Sequence, residues 1–271
     1  MAAKDPPIES AAHVGRGSFA AMPALHGDVP AAQDDSEGWQ NAPRMKTYRF
    51  LHNGRIAESS YLPDGATLLP PTLPTKIVCV GRNYADHAKE LGNEAPAEPI
   101  IFLKPPSALL APGGTIVRPA ASQLVHHEAE LAIVVGREAK QVKAERWRDY
   151  VRGFACANDV TARDLQRKDV QFTRGKGFDT FCPIGPAIED DLDPADLRVT
   201  ARVNGEIRQD GRTSQMIFAC GFLFEFVTSI MTLVPGDVIL TGTPAGVGTL
   251  EAGDTVEVEI EGIGVLANAV A

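Results

Sequence analysis

The sequence predicts an α+β fold that is mainly β and has a few short helices. Its apolar runs are mostly short and end at glycine, proline or acidic residues, as buried strands do. The pairs Asn53-Gly54 and Asn204-Gly205 are hairpin signals. Apolar and acidic residues alternate over 256–261, a pattern that is typical of a half-solvated antiparallel strand. These features predict a chain in which strands outnumber helices.

The first part of the chain differs in composition from the rest. Residues 1–44 are rich in Ala, Pro, Gly, Ser and acidic residues and are interpreted as a disordered leader. Met45 is an alternative start, in which case the leader is not part of the native protein. A strand over 47–51, the hairpin turn that follows and a proline-rich linker make up a short N-terminal β segment, residues 45–75.

Strands and three helices are predicted from residue 76 onward. Asn83 should cap a helix that ends at Leu91, and Thr161 with Asp164 resembles a capping box at the start of a second helix. The long apolar stretch 214–233 predicts a third, buried helix at a subunit interface. The predicted strands are 76–80, 100–103, the run after Glu128, 151–158, the hairpin 197–209, 238–241 and 256–260.

Composition excludes several classes of protein. The 271-residue chain has a net charge of −9, which argues against nucleic acid as a partner because phosphate neutralisation needs clustered Lys and Arg. Glu225 interrupts the longest apolar stretch, so we expect no membrane span. The four cysteines form no C-x-x-C pair and are interpreted as buried hydrophobic residues in a reducing compartment. We therefore expect a cytoplasmic protein.

Two glutamates precede an apolar strand. Glu128 and Glu130 are two residues apart, so in a strand they lie on the same face. Two like charges at the edge of a core are costly unless a cation lies between them, and Mg²⁺ or Mn²⁺ prefers carboxylate oxygens. The pair predicts a metal site, and a solvated strand end is the alternative.

A histidine and a glutamate share one face of the first predicted helix. His87 and Glu90 are three residues apart, and the apolar stripe of this helix is thin, so the helix is interpreted as a mobile lid. A carboxylate beside an imidazole fixes its tautomer and raises its basicity, as a general base for water requires. An ordinary exposed pair is the alternative.

Three further segments contain candidate ligand-binding residues. Asp159 ends a strand just before a helix that carries Arg163 and Gln166, where N-capping is the alternative role for Asp159. Lys176 lies between two glycines that allow a ligand to approach the backbone, or it belongs to a solvent loop. Thr243 lies in a glycine-rich turn after a strand and is interpreted as facing a pocket. The sequence contains no G-x-S-x-G, H-E-x-x-H or P-loop motif, which argues against serine hydrolases, zinc proteases and P-loop nucleotide binders.

The order of these motifs resembles the fumarylacetoacetate hydrolase family over residues 76–271. The matching segments are Val80-Gly81-Arg82-Asn83-Tyr84-Ala85-Asp86-His87, Ile101-Phe102-Leu103-Lys104-Pro105, His127-Glu128-Ala129-Glu130-Leu131, Asn158-Asp159-Val160-Thr161-Ala162-Arg163-Asp164-Leu165-Gln166, Gly177-Phe178-Asp179-Thr180-Phe181-Cys182-Pro183, Gln215-Met216-Ile217 and Pro235-Gly236-Asp237-Val238-Ile239-Leu240-Thr241-Gly242-Thr243-Pro244.

The resemblance implies a catalytic domain, residues 76–271, with a mixed β-sandwich roll of the family's C-terminal type, usually as a homodimer. It implies that Glu128, Glu130 and Asp159 bind Mg²⁺ or Mn²⁺. It also implies that His87 and Glu90 form the catalytic lid pair and that Lys176 faces the substrate. By the same resemblance, substrate contacts are expected from Arg163, Gln166 and Thr243.

The expected substrate is a small 2-oxo acid, and the outcome of the reaction stays open. The first expectation is hydrolysis of a carbon–carbon bond in an acylpyruvate-type 2,4-dioxo acid such as fumarylpyruvate, with oxaloacetate decarboxylation as a related activity. The alternative is isomerisation or decarboxylation of 2-hydroxyhepta-2,4-diene-1,7-dioate, or tautomerisation. A non-catalytic metal- or metabolite-binding protein is a further alternative, against which the intact His87/Glu90 pair argues.

Overall fold

Strands predominate in the computed structural model, which describes residues 46–271. The predicted leader, residues 1–44, lies outside the described residues. In chain order, the strands and α-helices are β1 (Tyr48–His52), β2 (Arg55–Ser59), β3 (Thr67–Leu68), β4 (Ile77–Gly81), α1 (Ala85–Glu90), β5 (Ile100–Lys104), β6 (Leu109–Leu110), β7 (Thr115–Ile116), β8 (Val125–His127), β9 (Ala129–Val135), β10 (Val151–Asn158), β11 (Thr161–Ala162), α2 (Arg163–Lys168), α3 (Thr173–Lys176), β12 (Cys182–Glu189), β13 (Arg198–Val203), β14 (Glu206–Arg212), α4 (Cys220–Ile230), β15 (Val238–Leu240), β16 (Gly248–Thr249), β17 (Thr255–Ile260) and β18 (Gly264–Val270).

A central mixed sheet organises the fold. Its strand order is β5-β4-β15-β9-β10-β12-β6, and a second sheet has the order β14-β13-β17-β18-β7. The short sheets β2-β1-β3 and β11-β8-β16 complete the strand arrangement. In the central sheet β15 runs parallel to β4 and antiparallel to β9. The predicted α+β, mainly β fold is confirmed.

The two faces of the central sheet contribute to two different apolar clusters. Along β9, Leu131 and Ile133 belong to the cluster that includes α4 and the inward residues of β13 and β17. Ala132 and Val134 belong to the other cluster, together with residues of β12. Burial of both faces explains why this strand is apolar throughout, whereas β17 alternates buried valines with partly exposed glutamates.

Several predicted elements are confirmed and two predicted helix caps are wrong. The strand over 151–158 and both Asn-Gly hairpins are present, and all four cysteines are buried and free. Asn83 does not cap α1, because its side-chain oxygen accepts from Phe218 N–H and its side-chain nitrogen donates to the carbonyls of Phe218 and Thr241. Likewise, Asp164 does not cap α2, since it accepts from Ser122 Oγ instead.

The third helix is shorter than predicted. Instead of 214–233, α4 spans Cys220–Ile230, and a 3-10 turn occupies Thr213–Gln215. The intervening backbone is extended because it pairs with the segment before α1: Ile217 N–H donates to Asn83 O. Within residues 46–271, no helix is long and apolar enough to cross a membrane.

Candidate active site

Strand register brings three carboxylates together. Glu130 lies opposite Ala157 in the antiparallel pair β9/β10, so Asp159, just past the end of β10, lies beside Glu128. One carboxylate oxygen from each of Glu128, Glu130 and Asp159 lies within 4.8 Å of the others, and all three residues are buried. Glu128 and Glu130, predicted to share one face of a strand, and Asp159, predicted to end a strand, therefore form one cluster.

Three buried cations surround these carboxylates. Lys176 Nζ lies 2.8 Å from Glu128 Oε2 and 2.6 Å from Asp159 Oδ2. Lys104 Nζ lies 2.6 Å from Asp159 Oδ1, and the Arg163 guanidinium donates to Glu128 Oε1. Buried charges of this kind persist only when they are paired. These ion pairs compensate the negative charge of Glu128 and Asp159.

The pKa values follow from this pairing. Burial would raise the pKa of Glu128, but Lys176 and Arg163 outweigh it and hold that pKa well below its ordinary value. Burial would lower the pKa of Lys176, but Asp159 and Glu128 raise it. Both groups are therefore charged.

Glu130 differs from the other two carboxylates. It accepts a hydrogen bond of 2.6 Å from Gly242 N–H, and its pKa is raised well above the ordinary value by burial and by the charges of Asp159 and Glu128. A divalent cation would balance these like charges. Three buried carboxylates are the donor set that Mg²⁺ and Mn²⁺ prefer, so the residues present fit such an ion.

The His87/Glu90 pair lies on α1 as predicted. His87 Nδ1 is 3.2 Å from Glu90 Oε2, and Glu90 also accepts from Gly246 N–H at 3.1 and 3.2 Å. Burial lowers the pKa of His87, and the charge of Glu128 and the Glu90 hydrogen bond only partly offset it. The helix is better anchored than its thin apolar stripe suggested, because Ala88 and the neighbouring Tyr84 are also buried. Its movement as a lid stays a prediction.

The candidate residues converge on a cavity of about 300 Å³. Its lining includes eight of the nine predicted site residues, namely Glu128, Glu130, Asp159, His87, Lys176, Arg163, Gln166 and Thr243. Glu90 does not line the cavity but contacts His87, which does. The Arg163 guanidinium donates to Glu128 and Gln166, so it contacts the carboxylate cluster directly. The roles of these residues in binding and catalysis stay predictions.

Sequence reasoning did not assign several residues of the site. Arg82, Phe102, Arg167 and Phe172 also line the cavity. Lys104 was missed although it follows the apolar run 100–103 directly. A charged residue directly beside a buried apolar run needs a buried partner of opposite charge. The same argument led from the sequence to Glu130.

A buried glutamine, also missed, supports the site from the second sheet. Gln209 Oε1 accepts from Ala129 N–H, and Gln209 Nε2 donates to Thr243 Oγ1 and Pro244 O. Because that oxygen also faces His127 Nδ1 at 3.0 Å, the imidazole nitrogen must be the donor there. Gln209 thus ties the strand that carries Glu130 to the turn that carries Thr243.

Buried carboxylates, an ion-paired lysine and an imidazole line one cavity, so acid–base groups adjoin a candidate metal site there. Residues 76–271 match the family model "Fumarylacetoacetate (FAA) hydrolase C-terminal". The chain belongs to the fumarylacetoacetate hydrolase family, as its motifs suggested. The members of this family are enzymes that include hydrolases, isomerases and tautomerases.

Relatives with named activities accompany uncharacterised ones. The chain is 60% identical over 195 residues to an uncharacterised protein from Methanocaldococcus jannaschii, covering 72% of this chain and 82% of the relative. It is 47% identical over 215 residues to the mitochondrial oxaloacetate tautomerase FAHD2A from Bos taurus, covering 75% of this chain and 68% of the relative. A crystal structure of 5-carboxymethyl-2-hydroxymuconate delta-isomerase from Mycobacterium smegmatis matches with a TM-score of 0.77 and 46% identity, covering 84% of this chain and 98% of that one.

Proposed function

We propose that the protein hydrolyses a carbon–carbon bond in an acylpyruvate-type 2,4-dioxo acid such as fumarylpyruvate, with Mg²⁺ or Mn²⁺ as cofactor. The observation that carries the proposal is the His87/Glu90 pair, because its imidazole lines the same cavity as the three carboxylates. A buried, oriented imidazole is suited to activate water.

The metal and the protein have separate tasks in this reaction. A Mg²⁺ or Mn²⁺ ion held by Glu128, Glu130 and Asp159 would supply Lewis-acid stabilisation of negative charge on the 2-oxo acid. Lys176, whose pKa is raised above its ordinary value, adds a fixed positive charge at the same end of the cavity. Both effects favour the form of the substrate in which charge develops on its oxygens.

His87 moves the proton. Glu90 accepts from Nδ1–H, so the lone pair of the imidazole is on Nε2. In the proposed step, Nε2 takes a proton from water as the water oxygen bonds to the C4 carbonyl carbon. The C3–C4 bond then breaks, and the proton returns to C3. The products are a carboxylic acid and pyruvate, so atoms and charge balance.

Tautomerisation of oxaloacetate, with or without its decarboxylation, is the second candidate. It is favoured by the 47% identity to a protein named oxaloacetate tautomerase, and the isomerase similarity points the same way. The same imidazole would move a proton between C3 and the 2-oxygen without attack by water. A non-catalytic binder is disfavoured because it would need no oriented base.

A panel of 2-oxo acids distinguishes these activities. Fumarylpyruvate, acetylpyruvate, oxaloacetate and a hydroxydienedioate are incubated with Mg²⁺, Mn²⁺ or EDTA, and loss of the enol absorbance and formation of pyruvate are followed. The proposal predicts metal-dependent pyruvate release from a 2,4-dioxo acid. Rapid keto–enol exchange of oxaloacetate without pyruvate release from any 2,4-dioxo acid would support the second candidate instead.

We also propose that the protein is a homodimer, as its family resemblance implies. The helix α4 presents Phe222 and Ile230 with 48% and 54% of their surface exposed. Apolar surface of this kind is commonly covered in an assembly. Sedimentation equilibrium of the full chain tests the proposal, and a mass equal to one 28.9 kDa chain would contradict it.

A further inference from the structure

Two guanidinium groups of the cavity have no ion pair with any of residues 46–271. Arg163 and Lys176 are both engaged by the acidic cluster. By contrast, Arg82 and Arg167 line the cavity, and no ion pair or hydrogen bond to either guanidinium is present within residues 46–271. The chain as a whole has a net charge of −9, but this cavity has two guanidinium groups that are available to an anionic ligand.

The backbone holds Arg82 in a costly conformation. Its φ is +58°, in the left-handed region that residues other than glycine seldom adopt. The next residue, Asn83, is fixed by hydrogen bonds of its side chain to Phe218 and Thr241. Strain of this kind persists where the surrounding structure enforces it, and it concentrates at ligand-binding positions. This conformation places Arg82 at the cavity and not along the continuing strand.

Helical spacing places Arg167 beside the predicted substrate contacts. On α2, Arg163, Gln166 and Arg167 are at positions i, i+3 and i+4 and therefore share one face. Arg163 is buried against Glu128, whereas Arg167 is exposed and lies about one turn, ~5.4 Å along the axis, further on. The cationic face thus runs outward from the carboxylate cluster toward solvent.

Aromatic side chains form part of the wall of the same cavity. Phe102 and Phe172 make an edge-to-face contact with ring centroids 5.5 Å apart, and both line the cavity. Lys176 Nζ lies 5.0 Å from the centroid of Phe102, so this wall begins at the carboxylate cluster. It offers an apolar surface to the uncharged carbons of a substrate.

We propose that Arg82 and Arg167 form a second anion subsite, which binds the distal carboxylate of a dicarboxylic 2-oxo acid. The proposal rests on the proposed 2-oxo acid function and narrows it: the protein selects diacids over monoacids of equal length. Arg suits this task because its planar guanidinium binds a carboxylate through two parallel hydrogen bonds. Positive side chains around the cavity outnumber the carboxylates, so a second anionic group on the ligand improves the charge balance.

The test uses ligands that bind without being cleaved. 2-Oxoglutarate and 2-oxopentanoate have the same carbon chain and differ in whether the distal end is a carboxylate or a methyl group. Their affinities for the full-length protein with Mg²⁺ are measured by isothermal titration calorimetry for wild type, Arg82→Gln, Arg167→Gln and the double variant. Arg55→Gln is the matched control, since Arg55 is exposed on β2 and does not line the cavity.

Wild type should bind the diacid at least roughly 10-fold more tightly than the monoacid. Each Arg→Gln change should weaken diacid binding by roughly 10- to 100-fold, the range for a hydrogen bond to a charged group. Monoacid binding should stay within about 2-fold, and Arg55→Gln should alter neither ligand. Equal affinities in wild type, no binding of either ligand, or equal weakening of both ligands in the variants would overturn the proposal.

Turnover separates this inference from the proposed function. A 2,4-dioxo diacid and its distal monomethyl ester are compared by kcat/KM, and the subsite predicts a preference for the diacid that the double variant loses. If both compounds are hydrolysed equally well, the subsite is wrong and the hydrolase proposal stands. If neither compound reacts but the calorimetric preference for the diacid is present, the hydrolase proposal is wrong and the subsite stands.

Discussion

Replacing His87 tests the proposed base directly. His87→Ala removes the imidazole that lines the cavity but leaves Glu128, Glu130 and Asp159 in place. A positioned general base contributes roughly 10²- to 10⁴-fold in rate, or about 3–5 kcal/mol of transition-state stabilisation. Hydrolysis should fall by that factor, while calorimetric binding of Mn²⁺ should be unchanged. Lys89→Ala, an exposed change on the same helix, is the matched control and should retain full activity.

Glu90→Gln should be less damaging than loss of the imidazole. Glu90 both orients His87 and accepts from Gly246 N–H, so the amide keeps the size of the side chain but loses its charge. Partners that orient a functional histidine are typically worth roughly 10- to 100-fold in activity. The pKa of His87 should also fall further, since the Glu90 hydrogen bond is one of the groups that raise it.

The pH profile gives an independent readout of the same pair. Burial lowers the pKa of His87 below the ordinary histidine value of about 6.5. The neutral imidazole therefore predominates at every pH above this lowered pKa. Activity should therefore decline only as the pH falls through the lowered pKa, and this acid limb should move to still lower pH in Glu90→Gln. Steady-state hydrolysis between pH 4 and 8, with metal in excess, measures the acid limb in wild type and in Glu90→Gln. Undiminished hydrolysis in His87→Ala would refute the role of this imidazole as the general base.

Three further changes test the rest of the site and its support. Glu130→Gln should weaken Mn²⁺ binding by at least roughly 10-fold in calorimetry while leaving the melting temperature nearly unchanged, because the uncharged amide has nearly the shape of the carboxyl group and adds no charge beside Glu128 and Asp159. Gln209→Leu leaves Ala129 N–H buried without an acceptor, so urea unfolding should show a loss of at least about 1–3 kcal/mol. Asp237→Ala leaves Lys76 without its 2.5 Å partner and removes the acceptor of Val234 N–H; a loss of about 3–5 kcal/mol is expected by the same measurement, and less than 1 kcal/mol would contradict it.

Features that depend on near neighbours in the chain could be predicted from the sequence. The strand over 151–158 and the hairpin at Asn204-Gly205 follow from local apolar runs and turn chemistry. The alternation of faces along β9 is equally local, and it placed Glu128 and Glu130 correctly on one side. Each of these signals lies within a few residues of the element that it specifies.

Features that depend on distant partners could not be predicted. Asn83 has the residue type of an N-cap, but its amide is used by backbone groups more than 130 positions away. The backbone carbonyl of Asn83 accepts from Ile217 N–H and keeps the backbone there extended, so α4 begins later than its apolar stretch suggests. Gln209 was missed for a similar reason. The local sequence indicates only a hairpin of β13 and β14, and the contact of Gln209 with Ala129 on β9 is a tertiary contact. In each of these cases, hydrogen bonds between segments that are distant in sequence determine the local structure.

The distribution of ion pairs explains how three carboxylates can lie close together in the core. Glu128 is paired with Lys176 and Arg163, and Asp159 is paired with both lysines of the site. By contrast, burial and the two acidic neighbours raise the pKa of Glu130. Burying ionised carboxylates without partner cations would cost several kcal/mol per ion, so the lysines and Arg163 are what allow the cluster to lie inside the core. The compensation is incomplete only at Glu130, and a divalent cation would therefore gain most of its electrostatic stabilisation there.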